Sequence, residues 1–276
     1  MPVKTFWTRR NFIKSGLLLS LSALVLDAAW FEKFFIEMNY HQLKSSSSTP
    51  LGLKLIQISD LHLKSVNSQL KRMARRINTI NPNLIMLTGD AVEAKEKLPV
   101  LDEFLSLLNP DTKKVAILGN WEYWGAVNLA DLKLLYKKHN CELLINQAKQ
   151  YHFNEKSILI TGIDDLLGGQ ANIREAIKEF KPSDCHLILN HCPEYAETIS
   201  SQLTASQACN AILSGHTHGG QINLFGYIPF LPSGSGRYVK GWYKTGNLNL
   251  YVSKGIGTSL LPVRFGARAE ISVFEI

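Results

Sequence analysis

The sequence predicts an α/β domain. From Leu53 onward short apolar runs alternate with helix-period segments, and the strong strands in that series end at a polar, metal-capable residue or at a glycine beside one. In α/β sheets ligands gather at the carboxyl ends of strands, so the pattern that indicates the fold also marks a site. A length of 276 residues suits one large domain of this class.

The amino terminus reads as an address. Residues Thr8-Arg9-Arg10-Asn11-Phe12-Ile13-Lys14 precede an apolar run from Leu17 to Leu26. Paired arginines before a moderately apolar segment resemble a twin-arginine export signal. The alternative is a buried helix with basic flanks. Asp27 ends the run too early for a comfortable spanning helix. Aromatic residues interleaved with Glu32, Lys33 and Glu37 follow, so either cleavage near Ala28/Ala29 or retention as a membrane-surface anchor fits. Residues 1–44 are therefore expected to be signal or anchor, 45–50 (Ser-Ser-Ser-Ser-Thr-Pro) a linker, and 51–276 the folded domain.

Within that domain, Leu53 to Ser59 reads as a strand ending in Asp60, and Gln69 to Ile80 as a helix with Leu70, Met73, Ala74, Ile77 and Ile80 at helical spacing. Leu84 to Thr88 is a strand before Gly89-Asp90. Leu98 to Leu108 is a helix closed by Asn109-Pro110. Val115 to Leu118 leads to Gly119-Asn120, and Asn128 to His139 is helical. Strands follow at 142–145, 150–153 and 157–162, then a helix at 173–180. His186 to Leu189 is a strand before Asn190-His191, and Glu194 to Ser201 a helix. Ala211 to Leu213 is a strand before Ser214-Gly215-His216. Strands at 237–243, 248–253 and 270–274 close the chain.

Composition narrows the function classes. With 45% hydrophobic and 19% charged residues the chain is no disordered, collagenous or coiled-coil sequence. The net charge of +7 could favour phosphates or acidic lipid, but no dense Lys/Arg run appears in the body, and no nucleic-acid partner is expected. Cys141, Cys185, Cys192 and Cys209 show no C-x-x-C spacing, which argues against a zinc knuckle or redox motif. They read as free thiols, with one bridge left open.

The polar residues at strand ends are Asp60, His62, Asp90, Asn120, His191, His216 and His218. Imidazole nitrogen with carboxylate or amide oxygen suits Mn, Fe, Zn or Co better than Ca. A shared carboxylate such as Asp90 could bridge two ions ~3.5–4 Å apart, a geometry that clamps attacking and leaving oxygens in phosphoryl transfer. Each motif alone is weak, since Gly-Asp after a strand is commonly a turn; their ordered collection carries the reading. His41, His139, His152 and His186 lie outside the motifs and receive no role.

The ordered set Asp60-Leu61-His62, Gly89-Asp90, Gly119-Asn120, Asn190-His191 and Gly215-His216-Thr217-His218 resembles the calcineurin-like metallophosphoesterase superfamily, over essentially Leu53 to Ile276. The Gly215 to Gln221 stretch and the tail through Leu261-Pro262-Val263-Arg264-Phe265 look like its bacterial branch with twin-arginine or membrane-anchoring amino termini. The resemblance implies a four-layer α/β/β/α sandwich with two mixed sheets and a dinuclear centre. Asp60, His62 and His218 would hold one ion, Asn120, His191 and His216 the other, and Asp90 would bridge. Manganese is the first expectation, with iron, zinc or cobalt as alternatives. A metal-bound hydroxide would be the nucleophile, and Asp90, Asn120 and His191 would carry catalysis together with metal.

One residue departs from the family. The position after Gly119-Asn120 is usually His, but here it is Trp121, whose indole cannot act as a general acid. Losing such an acid typically costs ~10²–10⁴-fold. A good leaving group, another donor or a mainly binding role would each accommodate the change. Trp121, Tyr123 and Trp124 fit either a packed aromatic corner or a substrate wall. Arg237 and Lys240, with Lys254 and Arg264, are candidate phosphate contacts. The reading is an exported or membrane-anchored phosphodiesterase-type hydrolase of a phosphorylated, lipid-linked cell-envelope compound, with the export machinery and membrane surface as partners. Its alternatives are a UDP-2,3-diacylglucosamine pyrophosphate hydrolase, anchored on the cytoplasmic face, and a metal-stabilised binding module at the membrane.

Overall fold

Two six-stranded mixed sheets pack face to face in the computed structural model, which describes residues 8–26, 35–46, 50–178, 180–207, 209–224, 226–259 and 261–276. The first sheet is built from β1 (Glu37–Gln42), β2 (Lys54–Ile58), β3 (Leu84–Thr88), β4 (Lys113–Ile117), β5 (Cys141–Leu143) and β12 (Glu270–Glu275), in the order β1-β12-β2-β3-β4-β5. The second comprises β6 (Gln147–Phe153), β7 (Lys156–Gly162), β8 (Cys185–Leu189), β9 (Ala211–Ser214), β10 (Gly241–Thr245) and β11 (Leu248–Val252), in the order β10-β11-β9-β8-β7-β6. β2, β3, β4 and β5 run parallel, as do β7, β8, β9 and β11.

The central strands are apolar on both faces because both faces are covered. Leu55, Leu84, Met86 and Ile117 meet Ile160, Leu187 and Leu213 between the sheets. Ile56, Ile85 and Leu87 face outward and pack under helices α2 (Ser68–Ile80), α3 (Leu98–Ser106) and α5 (Leu129–Lys138), which contribute Ile77, Phe104 and Leu132. On the other side Ile188 and Ile212 lie beneath α6 (Ile173–Ala176) and α7 (Ala196–Gln202), through Ile173 and Ile199. This is the expected four-layer sandwich. Its topology sends the carboxyl ends of β2, β3, β4, β8 and β9 to one region.

Two expectations shift. The helix expected over 173–180 stops at Ala176, and the strand expected over 237–243 begins only at Gly241. Tyr238 is spent on the outer core, where its ring is fully buried and its N–H donates to Ser235 O, a turn rather than a ladder.

The expected domain start at Leu51 is corrected. β1 runs parallel to β12 in register from Glu37↔Glu270 to Gln42↔Glu275, inside the stretch read as signal or anchor. Its sequence is polar because it is an edge strand. Glu37 pairs with Lys254 at 2.9 Å and Arg268 at 3.5 Å, and Asn39 donates to Glu270 at 2.6 Å. Ser46, within the expected linker, donates its N–H to Asp184 O, while 47–49 lie outside the described residues. Thr8 to Lys14 falls at the start of helix α1 (Arg9–Leu26), and most of the aromatic stretch after Asp27 lies outside the described residues. Among the described residues no helix is long and apolar enough to cross a membrane.

A chain starting at Leu51 should therefore melt below one starting at Phe35. Loss of the Ile36 and Met38 packing corresponds to about 3 kcal/mol, or roughly 6–12 °C. Equal melting temperatures in a thermal scan would restore the Leu51 boundary.

Candidate metal centre

Five of the seven predicted ligands sit in left-handed backbone: Asp60 (φ 52°), His62 (φ 43°), Asp90 (φ 53°), His216 (φ 73°) and His218 (φ 51°). Such conformations cost non-glycine residues roughly 1–3 kcal/mol each and concentrate at functional sites. Here they turn the chain sharply after β2, β3 and β9, so that side chains just beyond the strands face one point. Gly89 precedes Asp90 with φ 88°, and a Cβ there would collide with the His191 ring and the Gly119 backbone.

The seven residues converge as predicted, and all are buried. Asp60, His62 and His218 form one group and Asp90, His191 and His216 another; within each, one ligand atom per residue lies within 4.8 Å of the others. Asp90 Oδ2 stands 3.3 Å from His191 Nε2 and 3.6 Å from His62 Nε2, between the two groups. Asn120 Oδ1 is 3.0 Å from His216 Nδ1, which brings Asn120 to the second group.

Hydrogen bonds on the far side of the rings orient the ligand nitrogens inward. His191 Nδ1 lies 2.8 Å from Thr88 O and His216 Nε2 lies 2.6 Å from Ser233 O, so each carries its proton there. His62 Nδ1 faces Glu93 Oε1 at 3.1 Å. That leaves His191 Nε2 buried without a hydrogen-bond partner, aimed at Asp90 and the centre. An orphaned imidazole nitrogen among carboxylates fits a cation, and the donor set suits two divalent ions.

Burial opposes the charged forms throughout, but the carboxylates decide two of the histidines. Despite burial, the Glu93 contact and Asp90 raise His62, and Asp90 holds His191 well above the ordinary histidine range. Burial and the neighbouring His191 lower His216, while burial, His62 and Arg264 keep His218 well below that range. Asp90, although buried, is held well below the usual carboxylate range by His191 and His62.

The sequence reading missed Glu122. Its buried carboxylate accepts the N–H groups of Asp90 (3.1 Å), Ala91 (2.6 Å), Val92 (3.3 Å) and Gly119 (2.9 Å), tying the turn after β3 to the turn after β4. Burial and the Asp90 charge push it up to about 7, while its four N–H donors favour the ionised form. A Glu three residues after an N-cap at Gly119 is a capping signature, and it opens the short helix α4 (Asn120–Trp124). Asp165 was missed too. Its Oδ1 accepts Leu167 N and Gly168 N, and Cys192 Sγ donates to its Oδ2 at 3.2 Å. Read as the polar end of β7, Ile163-Asp164-Asp165 follows the same strand-end rule as the ligands.

Above the centre lies a cavity of about 520 Å³. Asp90, Asn120, His216 and His218 form its polar floor, and Trp121, Trp124, Leu167, Ile222, Phe230 and Leu261 supply apolar walls. Trp121 belongs to both expected roles: its ring stands edge-on to His62 and Trp124 and lines the cavity, and its backbone N–H donates to Asp90 Oδ1 at 2.9 Å. The other expected phosphate contacts are corrected. Arg237 is exposed beside Glu197 and Tyr238, and Lys240 donates to Gly266 O; neither lines the cavity. Lys254 pairs with Glu37 and Glu270. Arg264 is fully buried, donating to the carbonyls of Gly257, Lys254 and Ala267 beside His218. The four cysteines are free, so the open bridge is not formed.

Residues 53–220 match the family model described as calcineurin-like phosphoesterase. The chain belongs to that family. It is 32% identical over 285 residues to the metallophosphoesterase YkuE of Bacillus subtilis, covering 98% of this chain and 97% of that protein. It is 27% identical over 234 residues to a zebrafish (Danio rerio) transmembrane protein with metallophosphoesterase domain, covering 80% of this chain but 52% of that one. Among solved structures, the sulfate thiohydrolase SoxB of Thermus thermophilus aligns with TM-score 0.51 at 11% identity, over 83% of this chain and 57% of that one, a likeness of fold. As a calcineurin-like phosphoesterase the chain is a metal-dependent phosphoric ester hydrolase with a dinuclear divalent centre.

When bound, the two ions would supply the Lewis acidity that activates water and neutralises phosphoryl charge. His62 and His191 must give up their raised protons to ligate, so metal affinity should rise with pH and binding should release protons. Titrating Mn into the apo-protein by calorimetry, in neutral buffers of different ionisation enthalpy, should show that release; none would contradict the raised proton affinity of the two rings. Asp90→Ala should lose both ions or nearly all activity, and full metal content by elemental analysis with normal turnover would remove its bridging role.

Proposed function

We propose that this phosphoesterase cleaves a phosphodiester or phosphoanhydride of an amphiphilic, lipid-linked cell-envelope compound. The observation that carries the reading is the apolar cavity set directly on the polar metal floor. A phosphoryl group belongs on Asp90, Asn120 and the histidines. An acyl or prenyl portion belongs against Trp121, Leu167, Ile222 and Phe230, where each buried methylene contributes about 0.8 kcal/mol. Manganese is the metal we infer, from the mixed imidazole, carboxylate and amide donors.

Hydrolysis of UDP-2,3-diacylglucosamine at its pyrophosphate is a second reading that one observation favours. Among the described residues lining the cavity, the ionisable side chains are Asp90, His216 and His218, all of them in the two groups that could hold metal. A phosphate leaving group requires no proton donor; an alkoxide does. Trp121 stands where the family usually places the donor.

We further infer that Thr8 to Lys14 directs twin-arginine export and that the amino-terminal segment associates with the membrane surface. The relative named as a transmembrane protein lends support to a membrane setting. Changing Arg9 and Arg10 to Lys should leave the protein on the cytoplasmic side; unchanged protease accessibility in spheroplasts would refute the signal.

The substrate reading is tested with aryl alkyl phosphodiesters and the Mn-loaded protein. At fixed leaving group, kcat/KM should rise up to ~4-fold per methylene until the cavity fills, the factor set by about 0.8 kcal/mol. At fixed chain length the rate should fall steeply as leaving-group pKa rises, and Trp121→His should flatten that slope, with melting measured alongside because the smaller ring leaves a void. No chain-length dependence would sink the lipid reading. A shallow slope in the unmodified enzyme would show that another donor already acts.

A further inference from the structure

Large apolar side chains exposed on the folded body are concentrated around one opening. Trp124 (57% exposed), Phe230 (65%) and Leu261 (54%) line the mouth of the cavity above the metal centre. Leu224 (44%) and Tyr227 (69%) close a tight hairpin, Leu224 N–H to Tyr227 O at 2.8 Å and the reverse at 3.1 Å. That hairpin hangs between Ile222 and Pro229, both in the cavity wall. The rim is braced: Gln221 donates to Leu261 O at 2.7 Å and accepts Ser259 N–H at 3.2 Å, joining the two segments that form it.

Neither segment carries charge. From Gly219 to Gly236, and from Gly255 to Val263, the sequence contains no Asp, Glu, Lys or Arg. Covering these two segments with an apolar phase therefore strands no ion of their own, whereas leaving them in water exposes apolar side chains of the kind that mark an interaction surface. Tyr and Trp at its edge suit the boundary between hydrocarbon and water.

The route of the chain indicates what covers it. The amino-terminal segment enters the fold at Ile36, which lines a groove together with Gly257, Thr258 and Pro262. Ser259 and Leu261, between those residues in sequence, belong to the cavity mouth. Chain entry and mouth thus share one side. Beyond that entry lies α1, with exposed Phe12, Ile13, Leu17, Leu18 and Leu19 beside Arg9, Arg10 and Lys14, a composition suited to an interface of anionic lipid.

We propose that this rim docks on a lipid bilayer and holds the cavity mouth against it, so that an amphiphilic substrate enters from the membrane plane. The Leu224–Tyr227 hairpin is a docking element distinct from α1 and from the metal ligands. The inference rests on the amphiphilic-substrate reading for its purpose, but docking is measured without turnover.

In the full-length chain, Tyr227→Cys is labelled with an NBD fluorophore and mixed with vesicles of phosphatidylglycerol and phosphatidylethanolamine. Cys141, Cys185 and Cys192 are buried and Cys209 is half-buried, so the labelled unsubstituted chain sets the background. The probe should shift to the blue with a several-fold rise in emission, as should one at Leu224→Cys, which guards against a disturbed hairpin. A probe at Leu134→Cys, exposed on the outer helical layer, should not respond. Unchanged emission at 224 and 227 while the chain co-sediments with vesicles overturns the proposal, as does failure to co-sediment. A blue shift on concentrating the protein without vesicles also overturns it, in favour of a second copy on the rim. Docking without cleavage of long-chain substrates would leave this inference standing and remove the substrate reading.

Discussion

The centre depends on one buried carboxylate that several groups share. Asp90 Oδ2 faces His191 and His62 while its Oδ1 accepts the backbone N–H of Trp121, so a residue after β3 meets ligands from both sheets and the start of α4. An ionised carboxylate this deep is tolerable only when paired and hydrogen-bonded. The surrounding structure supplies that. Glu122 gathers the N–H groups of the flanking turns, and Gly89 and Gly119 remove the side chains that would occupy the space the carboxylate and His191 require.

The sandwich absorbs the cost of this arrangement. Left-handed backbone at five ligands and several partly paired polar atoms in one place would not persist on a loose loop. Here each turn hangs from a strand locked between two apolar layers, with β2, β3 and β4 on one side and β8 and β9 on the other. Even the fully buried Arg264 serves this end. Its guanidinium collects carbonyls of the 254–257 and 267 turns behind His218 rather than reaching a substrate.

Polar floor and apolar walls divide the work of the site. Among the described residues of the lining, ionisable side chains are confined to Asp90, His216 and His218 on the floor, while Trp121, Trp124, Leu167, Ile222, Phe230 and Leu261 make the walls apolar.

The sequence alone determined the central strands, the four-layer class through its family resemblance, and the seven polar residues that the fold brings together, because strand ends carry a local signal: an apolar run followed by glycine and a polar side chain. Glu122 and Asp165 obeyed readable rules, a capping pattern and the same strand-end pattern. Tertiary structure decided the rest. Polar β1 carries no strand periodicity and exists because β12 offers an edge and Lys254 and Arg268 offer charge to Glu37. The fates of Arg237, Lys240, Lys254 and Arg264, which the sequence grouped as phosphate contacts, were separated only by folding. Whether a cation reaches a cavity, a neighbouring carboxylate or a set of carbonyls depends on groups distant in sequence, and no local pattern encodes that distance. The charge-free segments 219–236 and 255–263 were likewise visible as sequence, but only the packing of both around one opening turned them into a rim.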